Sequence, residues 1–298
     1  MAGPVIGIIG GSGLYQIDGL DEIEWRRVES PFGRTSDEFC FGSLGGQPVI
    51  FVPRHGRGHV LPPSEIDYRA NIDALKRCGV TDIISLSAVG SLREDFQPGD
   101  FIVVDQFIDR TFARQKSFFG KGCVAHVSMA HPVCGRIGDA LIAAAIQAGI
   151  ALKRDGTYIV MEGPQFSSLA ESELYRTWKC DVIGMTNMPE AKLAREAEMC
   201  YATVAMVTDY DCWYPGHDAV TVDMVVGFLL SNAEKAKALV KSVVPLLSAH
   251  AGPCRQGCQH ALDRALITAP ERRDLEVLLR LDAVAGRVLQ RARPEAGA

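Results

Sequence analysis

Seven almost continuously apolar runs of strand length alternate with segments of helical length, and this alternation limits the possible folds more than any other feature. The runs cover residues 5–9, 48–53, 83–86, 101–104, 158–161, 182–185 and 202–207. The segments with helical length and period cover residues 65–77, 133–148, 169–179, 189–199 and 223–247. Continuous apolar runs are typical of strands buried on both faces, and their interleaving with helices predicts an α/β fold with a mostly parallel central sheet.

Local signals mark the ends of several predicted helices. Ser64 is the predicted N-cap of the first helix, and Gly79 and Gly149 are the predicted stops of the first and second. Neither a Ser/Gly-rich linker nor an internal repeat divides the chain, which favours one domain. Residues 271–293 follow a proline and are charged and amphipathic, which predicts an appended helix.

Composition excludes several classes of protein. The 298 residues carry 31 Lys+Arg and 36 Asp+Glu, a formal net charge of -5, so the chain lacks the dense basic face that sequence-independent nucleic-acid binding needs. The longest uncharged run, residues 1–17, is too short and too rich in glycine for a membrane span and lacks the pattern of a signal peptide. The nine cysteines are scattered, which favours reduced thiols. We therefore expect a cytoplasmic protein with no nucleic-acid or membrane partner.

Candidate anion-binding residues follow the first two predicted strands. Ser12 lies in a Gly-Gly-Ser-Gly turn whose spacing fits neither the dinucleotide fingerprint nor the Walker pattern, and a plain tight turn remains an alternative. Arg54 and His55 offer donors suited to phosphate oxygens at a strand end, where α/β proteins bind ligands. A solvated basic turn is the alternative. The glycines between His55 and His59 argue against a zinc site.

Later strand ends add hydroxyls and two carboxylates. Ser87 and Ala88 lie among small residues, which admit a ligand or simply pack closely. Thr186 precedes a helix and could bind an anion there or serve as an N-cap. Asp209 and Asp211 are two apart in an extended chain, so their side chains should point to one side and raise each other's proton affinity. A metal site or a helix cap is possible for them, but we favour acid–base use.

Six segments together resemble the 5′-methylthioadenosine phosphorylases of the trimeric purine nucleoside phosphorylase group. They are residues 6–14 (IGIIGGSGL), 54–58, 98–111, 162–168 (EGPQFSS), 184–191 (GMTNMPEA) and 208–213 (TDYDCW). The resemblance covers roughly residues 5–268 and implies a single nucleoside phosphorylase domain with a mixed, mostly parallel sheet. Residues 271–298 would form a C-terminal helical extension.

The resemblance also implies an activity and an assembly. The reaction would convert methylthioadenosine and phosphate to adenine and 5-methylthioribose 1-phosphate, with phosphate as co-substrate and with neither a metal nor an organic cofactor. The chain would form a homotrimer. The implied phosphate site consists of Ser12, Arg54, His55, Ser87, Ala88 (through its backbone) and Thr186.

The remaining implied residues surround the nucleoside. Met185 would lie beside the ribose and Phe166 would pack on the base. Ser167 and Val222 would tune specificity, and Val225 would face the 5′ group, where an apolar side chain suits a methylthio substituent.

Asp209 is the predicted catalytic residue. Cleavage of the N-glycosidic bond places negative charge on the leaving purine, and Asp209 would donate a proton or hydrogen bond to its N7. Asp211 would accept from an amino group at purine position 6, which favours adenine.

Three alternatives compete with this interpretation. A purine nucleoside or methylthioinosine phosphorylase is the nearest, but by the resemblance such enzymes carry Asn at the position of Asp209. A nonenzymatic nucleoside sensor would not need a phosphate site. A dinucleotide-dependent oxidoreductase lacks its fingerprint here. Outside these motifs, Cys254 and Cys258 could form a disulfide, although we predict two reduced thiols.

Overall fold

The structure, a computed structural model, describes residues 4–11, 14, 16–215, 222–249 and 254–290, without the side chains of 222–226, 229, 230 and 290. Its strands are β1 (Val5–Gly10), β2 (Leu20–Arg26), β3 (Phe39–Leu44), β4 (Gln47–Pro53), β5 (Val80–Ser91), β6 (Phe101–Val103), β7 (Gln106–Asp109), β8 (Leu152–Arg154), β9 (Thr157–Val160), β10 (Val182–Gly184) and β11 (Cys200–Asp209). Its helices are α1 (Tyr68–Arg77), α2 (Gly135–Ala148), α3 (Leu169–Thr177), α4 (Asn187–Glu196), α5 (Val222–Ser248), α6 (Leu275–Arg280) and α7 (Asp282–Gln290).

All these strands join one mixed, mostly parallel sheet, as predicted. Its main path runs β2-β3-β4-β1-β5-β10-β9-β7, and β11 pairs with β5 and continues through β6 to β8. The pairs β1–β4, β1–β5 and β5–β11 are parallel, so the carboxyl ends of four strands meet at one edge. The last residues of β5 pair antiparallel with β10, which brings the end of β10 to the same edge.

The burial of a strand explains whether it could be predicted from the sequence. Every residue of β11 is buried, and this strand was predicted because a strand covered on both faces is continuously apolar. β2 and β3 were not predicted. β2, with the sequence LDEIEWR, is mostly exposed, so its apolar positions are too few to give a period.

The predicted helix ends are partly confirmed. Gly149 caps α2 in the left-handed conformation (φ 65°), and Gly79 follows α1 with φ 79°. Ser64 is wrong as an N-cap because it lies in a 3-10 turn before the helix. Asp67 is the N-cap of α1, and its carboxylate accepts a hydrogen bond from the amide of Ala70 at 3.0 Å.

The C-terminal segment is more closely integrated than an appended helix would be. It is divided into α6 and α7, since Leu281 caps α6. Leu281, Val284 and Ala285 are buried in the cluster that also contains the core of α1. Arg287 pairs with the buried carboxylate of Glu198. Residues 291–298 lie outside the described part of the chain.

Among the helices that the structure describes, none has an apolar stretch long enough to cross a bilayer. The two largest core clusters lie on opposite faces of the sheet. One packs beneath α1, α4 and α7, and the other beneath α2 and α5. The carboxyl edge of the sheet is therefore supported by packed side chains on both faces.

The packing of the C-terminal segment makes a prediction about stability. Leu281 is 0% exposed and Leu279 is 75% exposed. The two positions therefore carry the same amino acid but differ in burial. We expect Leu281→Ala to lower the free energy of unfolding by about 2–4 kcal/mol, and Leu279→Ala by less than about 0.5 kcal/mol. Urea unfolding of the two variants checks this, and equal effects would show that the segment does not pack on the core.

Candidate functional site

A cavity of about 860 Å³ opens at the edge of the sheet where the parallel strands end. The predicted site residues that line it are Arg54, His55, Ser87, Ala88, Phe166, Met185, Thr186, Asp209 and Asp211. The fold thus brings together residues that are up to 157 positions apart in the sequence, from Arg54 to Asp211. Such an edge is where ligands bind in open α/β sheets.

Four predicted residues are not among those lining the cavity. Ser12 lies outside the described residues, and the same holds for the side chains of Val222 and Val225 at the start of α5. Ser167 is next to a lining residue, since its hydroxyl is 3.7 Å from the sulfur of Met161. Met161 itself lines the cavity.

Arg54 is held by a buried partner that the sequence analysis missed. Its Nε donates to Glu190 Oε2 at 2.9 Å and its Nη2 to Glu190 Oε1 at 3.2 Å, and both residues are 2% exposed. Nη2 also donates to Ser85 Oγ at 2.6 Å, and Nη1 to the carbonyl of Leu86 at 3.0 Å. Nη1 carries two hydrogens, so one is available to a ligand in the cavity. A solvated basic turn is therefore wrong for Arg54.

One feature of the sequence points to a buried role for Glu190. It is the only acid within residues 182–195, an otherwise apolar and polar-neutral stretch apart from two basic residues. A single carboxylate on a buried helix face needs a cationic partner. Its partner Arg54 is 136 residues away, so the sequence does not show that these two residues are in contact.

His55 is neutral at physiological pH. Burial lowers its pKa to about 4. Its Nδ1 lies 2.8 Å from the carbonyl of Leu61, which can only accept, so Nδ1 carries the proton and Nε2 is an acceptor. The ring also stacks on His59, with centroids 4.1 Å apart. His55 therefore contributes a hydrogen-bond acceptor rather than positive charge.

Ser87 and Thr186 face each other across two strands. The antiparallel register pairs Val182 with Ser91 and Ile183 with Gly90, and its continuation places Thr186 opposite Ser87. Their hydroxyl oxygens are 3.1 Å apart, and Ser87 Oγ is also 3.1 Å from the hydroxyl of Tyr158. Thr186 occupies the N-cap position of α4, but its side chain makes no capping bond. The side-chain cap alternative is therefore wrong.

Asp209 and Asp211 both reach the cavity, but not for the predicted reason. β11 ends at Asp209, and Asp211 has a left-handed backbone (φ 52°), so the alternation of an extended chain does not continue between them. Instead, the amide of Asp211 donates to Asp209 Oδ1 at 2.8 Å, and Thr208 Oγ1 donates to Oδ2 at 2.7 Å. Gly90 admits this turn, because a Cβ there would lie 2.9 Å from Asp209 Oδ1.

The pKa of each of the two carboxyl groups is raised above its ordinary value. Burial is the main cause that raises the pKa of Asp209, against the hydrogen bonds just described. Burial also raises the pKa of Asp211, and the charge of Asp209 adds to this effect. Asp211 Oδ2 is buried and has no hydrogen-bond partner among the described residues. Since buried polar atoms rarely lack partners, this oxygen is suited to a polar ligand group.

Arg114 holds the backbone beside the cavity and was not predicted. Its guanidinium donates to the carbonyls of Met185 at 2.5 Å, Met188 at 2.7 Å and Glu162 at 2.6 Å. It also pairs with the Glu162 carboxylate at 3.2 Å. This network fixes the position of Met185, whose side chain lines the cavity.

Comparisons with known proteins agree on one family. The model of the phosphorylase superfamily matches residues 5–245. S-methyl-5′-thioadenosine phosphorylase of Rhodospirillum rubrum is 62% identical over 96% of this chain and 97% of its own length. The protein of the same name from Cereibacter sphaeroides is 60% identical over 96% of this chain and 99% of its own.

Solved structures give the same result. A methylthioadenosine phosphorylase from an Antarctic soil metagenomic library superposes with a TM-score of 0.90 at 48% identity, covering 95% of this chain and 99% of that one. Methylthioadenosine phosphorylase from Schistosoma mansoni in complex with adenine has a TM-score of 0.80 at 37% identity, covering 83% of this chain and 93% of that one.

The pKa of His55 makes stability depend on pH. Its value of about 4 in the folded chain lies below the ordinary value of about 6.5 in the unfolded chain. Between these values only the unfolded chain binds the proton, so the contribution is complete above pH 6.5 and is lost as the pH falls towards 4. We expect wild type to lose on the order of 2 kcal/mol more than His55→Asn across this window.

Urea unfolding at several pH values measures this difference. Asn keeps an N–H donor for the Leu61 carbonyl but does not titrate, which makes it the matched variant. Parallel pH profiles of the two proteins would contradict the assignment of a neutral, buried His55.

Proposed function

The chain belongs to the phosphorylase superfamily, and we propose that it catalyses the phosphorolysis of S-methyl-5′-thioadenosine to adenine and S-methyl-5-thioribose 1-phosphate. The observation that carries this proposal is the buried pair Asp209 and Asp211 at the cavity wall, with an Asp211 oxygen that lacks a partner among the described residues. An adenine base offers the matching groups, an acceptor at N7 and a donor at position 6.

In this proposal, phosphate binds between the ends of β4, β5 and β10. The hydroxyls of Ser87 and Thr186 and the remaining hydrogen of Arg54 Nη1 would donate to its oxygens, together with Ser12 and the amide of Ala88. Neutral His55 supports this arrangement because its Nε2 can accept a hydrogen bond from the O–H group that phosphate carries near neutral pH. Glu190 already offsets much of the Arg54 charge, so hydrogen bonds rather than net charge would hold the anion.

The sugar would lie between phosphate and base. As the glycosidic bond breaks, positive charge develops on the ribose, and a phosphate oxygen on the opposite face both stabilises it and forms the new bond. Met185 would cover the ribose, held in place by Arg114. Phe166, which is 45% exposed at the rim, would pack on the base.

Asp209 would act as the general acid. Because burial raises its pKa, Asp209 would bind a proton more readily than an exposed aspartate and would donate it to N7 as negative charge develops on the purine. Asp211 Oδ2 would accept from the 6-amino group. Phosphate and these side chains supply the chemistry of the reaction, so we propose that it uses no metal or organic cofactor.

The proposal extends to the assembly, the location and the residues that determine specificity. We propose a homotrimer in the cytoplasm, which acts on a small nucleoside. Phe112, beside the Glu162 network, is 81% exposed, and an assembly would cover such a side chain. We propose that Val222 and Val225 determine the tolerance for the 5′ group, with Ser167 next to Met161.

Thr186→Val tests the phosphate site. The change keeps the shape of the side chain but removes its hydroxyl, and a hydrogen bond to a charged ligand contributes about 1.5–3 kcal/mol. We expect KM for phosphate to rise about tenfold or more, with KM for methylthioadenosine changed less than about threefold. Initial rates with each substrate varied in turn measure both constants.

Thr186→Ser is the matched control, because it restores the hydroxyl and should restore phosphate affinity. An equal rise of both KM values in Thr186→Val, or no recovery in Thr186→Ser, would argue against a phosphate contact.

Asp209→Asn tests the general acid. Asn can donate a hydrogen bond but cannot transfer a proton, so we expect kcat on methylthioadenosine to fall about 10²–10⁴-fold. Relative activity on methylthioinosine should rise, and KM for phosphate should stay nearly unchanged. Release of the base, followed by absorbance, measures each rate.

Asp211→Asn provides the contrast for this experiment. It replaces one carboxylate oxygen by an NH2 group and removes the negative charge, which weakens the acceptor for the base, so it should raise KM for methylthioadenosine more than it lowers kcat. Wild-type kcat in Asp209→Asn would be incompatible with the assigned proton transfer.

A further inference from the structure

Four buried cysteines meet far from the cavity, on the side of the sheet covered by α2 and α5. They are Cys134, Cys200, Cys254 and Cys258, and their sulfur atoms all lie within 4.8 Å of one another. Every described cysteine is a free thiol. The mechanism proposed above uses none of them.

Two of the sulfur–sulfur distances match the edge of a tetrahedral metal site. Cys134 Sγ is 3.6 Å from Cys254 Sγ, which is 3.7 Å from Cys258 Sγ. Four thiolates at the usual zinc–sulfur distance of about 2.3 Å form a tetrahedron with edges of about 3.8 Å. A disulfide would require about 2.05 Å. The two short distances therefore match the edge of a zinc–thiolate tetrahedron and exclude a formed disulfide, and all four sulfur atoms are close enough to share one ion.

The local backbone structure brings these cysteines close together. Cys134 is the N-cap of α2, where helix N–H groups favour a thiolate, and Cys200 is the first residue of β11. Gly257, in the left-handed conformation (φ 67°), turns the chain between Cys254 and Cys258, and its amide donates to the Cys254 carbonyl at 2.8 Å.

A cation also lies beside the cluster. The Arg136 guanidinium interacts with the sulfur of Cys200 and forms an ion pair with Asp82. Its Nε is buried and has no partner within the described part of the chain. Four thiolates around one divalent ion carry a net charge of -2, and a neighbouring guanidinium stabilises such a charge.

We propose that these four cysteines bind one zinc ion. Four sulfur ligands are typical of a closed, structural zinc site rather than a catalytic one. Binding replaces four S–H bonds by four Zn–S bonds and releases four protons to solvent, with no change in oxidation state. The ion would link α2, β11 and the segment that begins at Cys254.

The four cysteines lie far from the residues that would carry out the reaction. Cys200 and Asp209 are the two ends of β11, and nine steps of about 3.3 Å place them about 30 Å apart. The sequence analysis expected no metal because the resemblance implied none, and only two of the four cysteines are close in sequence. The fold supplies the other two ligands.

Metal analysis of the full chain tests the proposal. Protein purified without chelator from zinc-supplemented cells should contain about one zinc per chain by mass spectrometry. The variant Cys254→Ser/Cys258→Ser should contain less than about 0.1, while Cys40→Ser should retain the metal. Cys40 is the matched control, since it is 0% exposed in the same core cluster but outside the group of four.

A cobalt titration keeps the test decisive if the double variant fails to fold. After reduction and removal of bound metal, wild type should bind about one Co²⁺ per chain with thiolate-to-cobalt charge-transfer absorption, and Zn²⁺ should abolish that absorption. The melting temperature of wild type should rise on reloading with zinc. Reduced wild type without such absorption, or a double variant with full zinc content, would overturn the proposal.

Discussion

The buried ion pair between Arg54 and Glu190 is the interaction on which the cavity depends. It joins the end of β4 to α4, and Ser85, Asn187 and Tyr201 complete its hydrogen bonds. Removing one partner of such a pair leaves an uncompensated charge, which typically costs about 3–5 kcal/mol. The pair therefore orients Arg54 towards the cavity and at the same time fixes α4, whose N-cap residue is Thr186.

The charges around the cavity are largely balanced before any substrate binds. Arg54 is paired with Glu190, His55 is neutral, and burial raises the pKa of both aspartates, which disfavours their charged forms. A cavity with little net charge can hold an anion by oriented donors and still tolerate the charges that develop during bond cleavage. Arg114 and Glu162 extend the same principle, because their charges cancel while their hydrogen bonds position Met185.

The sequence predicted the central strands and most of the cavity wall, and the reasons are physical. β1, β5 and β11 are buried on both faces and read as apolar runs, whereas the exposed β2 does not. Arg54, Ser87 and Asp209 were found because polar residues at the ends of apolar strands stand out. Glu190 and Arg114 were missed because a partner more than 70 residues away leaves no local pattern. The geometry of Asp211 was missed because its left-handed turn interrupts the strand period.

The packing of α7 on α1 has a consequence for the order of events during synthesis. Leu281, Val284 and Ala285 complete the core cluster that begins with residues of β1 and α1. Since the chain is made in sequence order, these three residues emerge from the ribosome after all the other buried members of that cluster. Until then the apolar face of α1 lacks its cover. The part of α1 that these residues cover therefore stays in contact with water until they have emerged, and exposed apolar surface of this kind promotes aggregation of nascent chains.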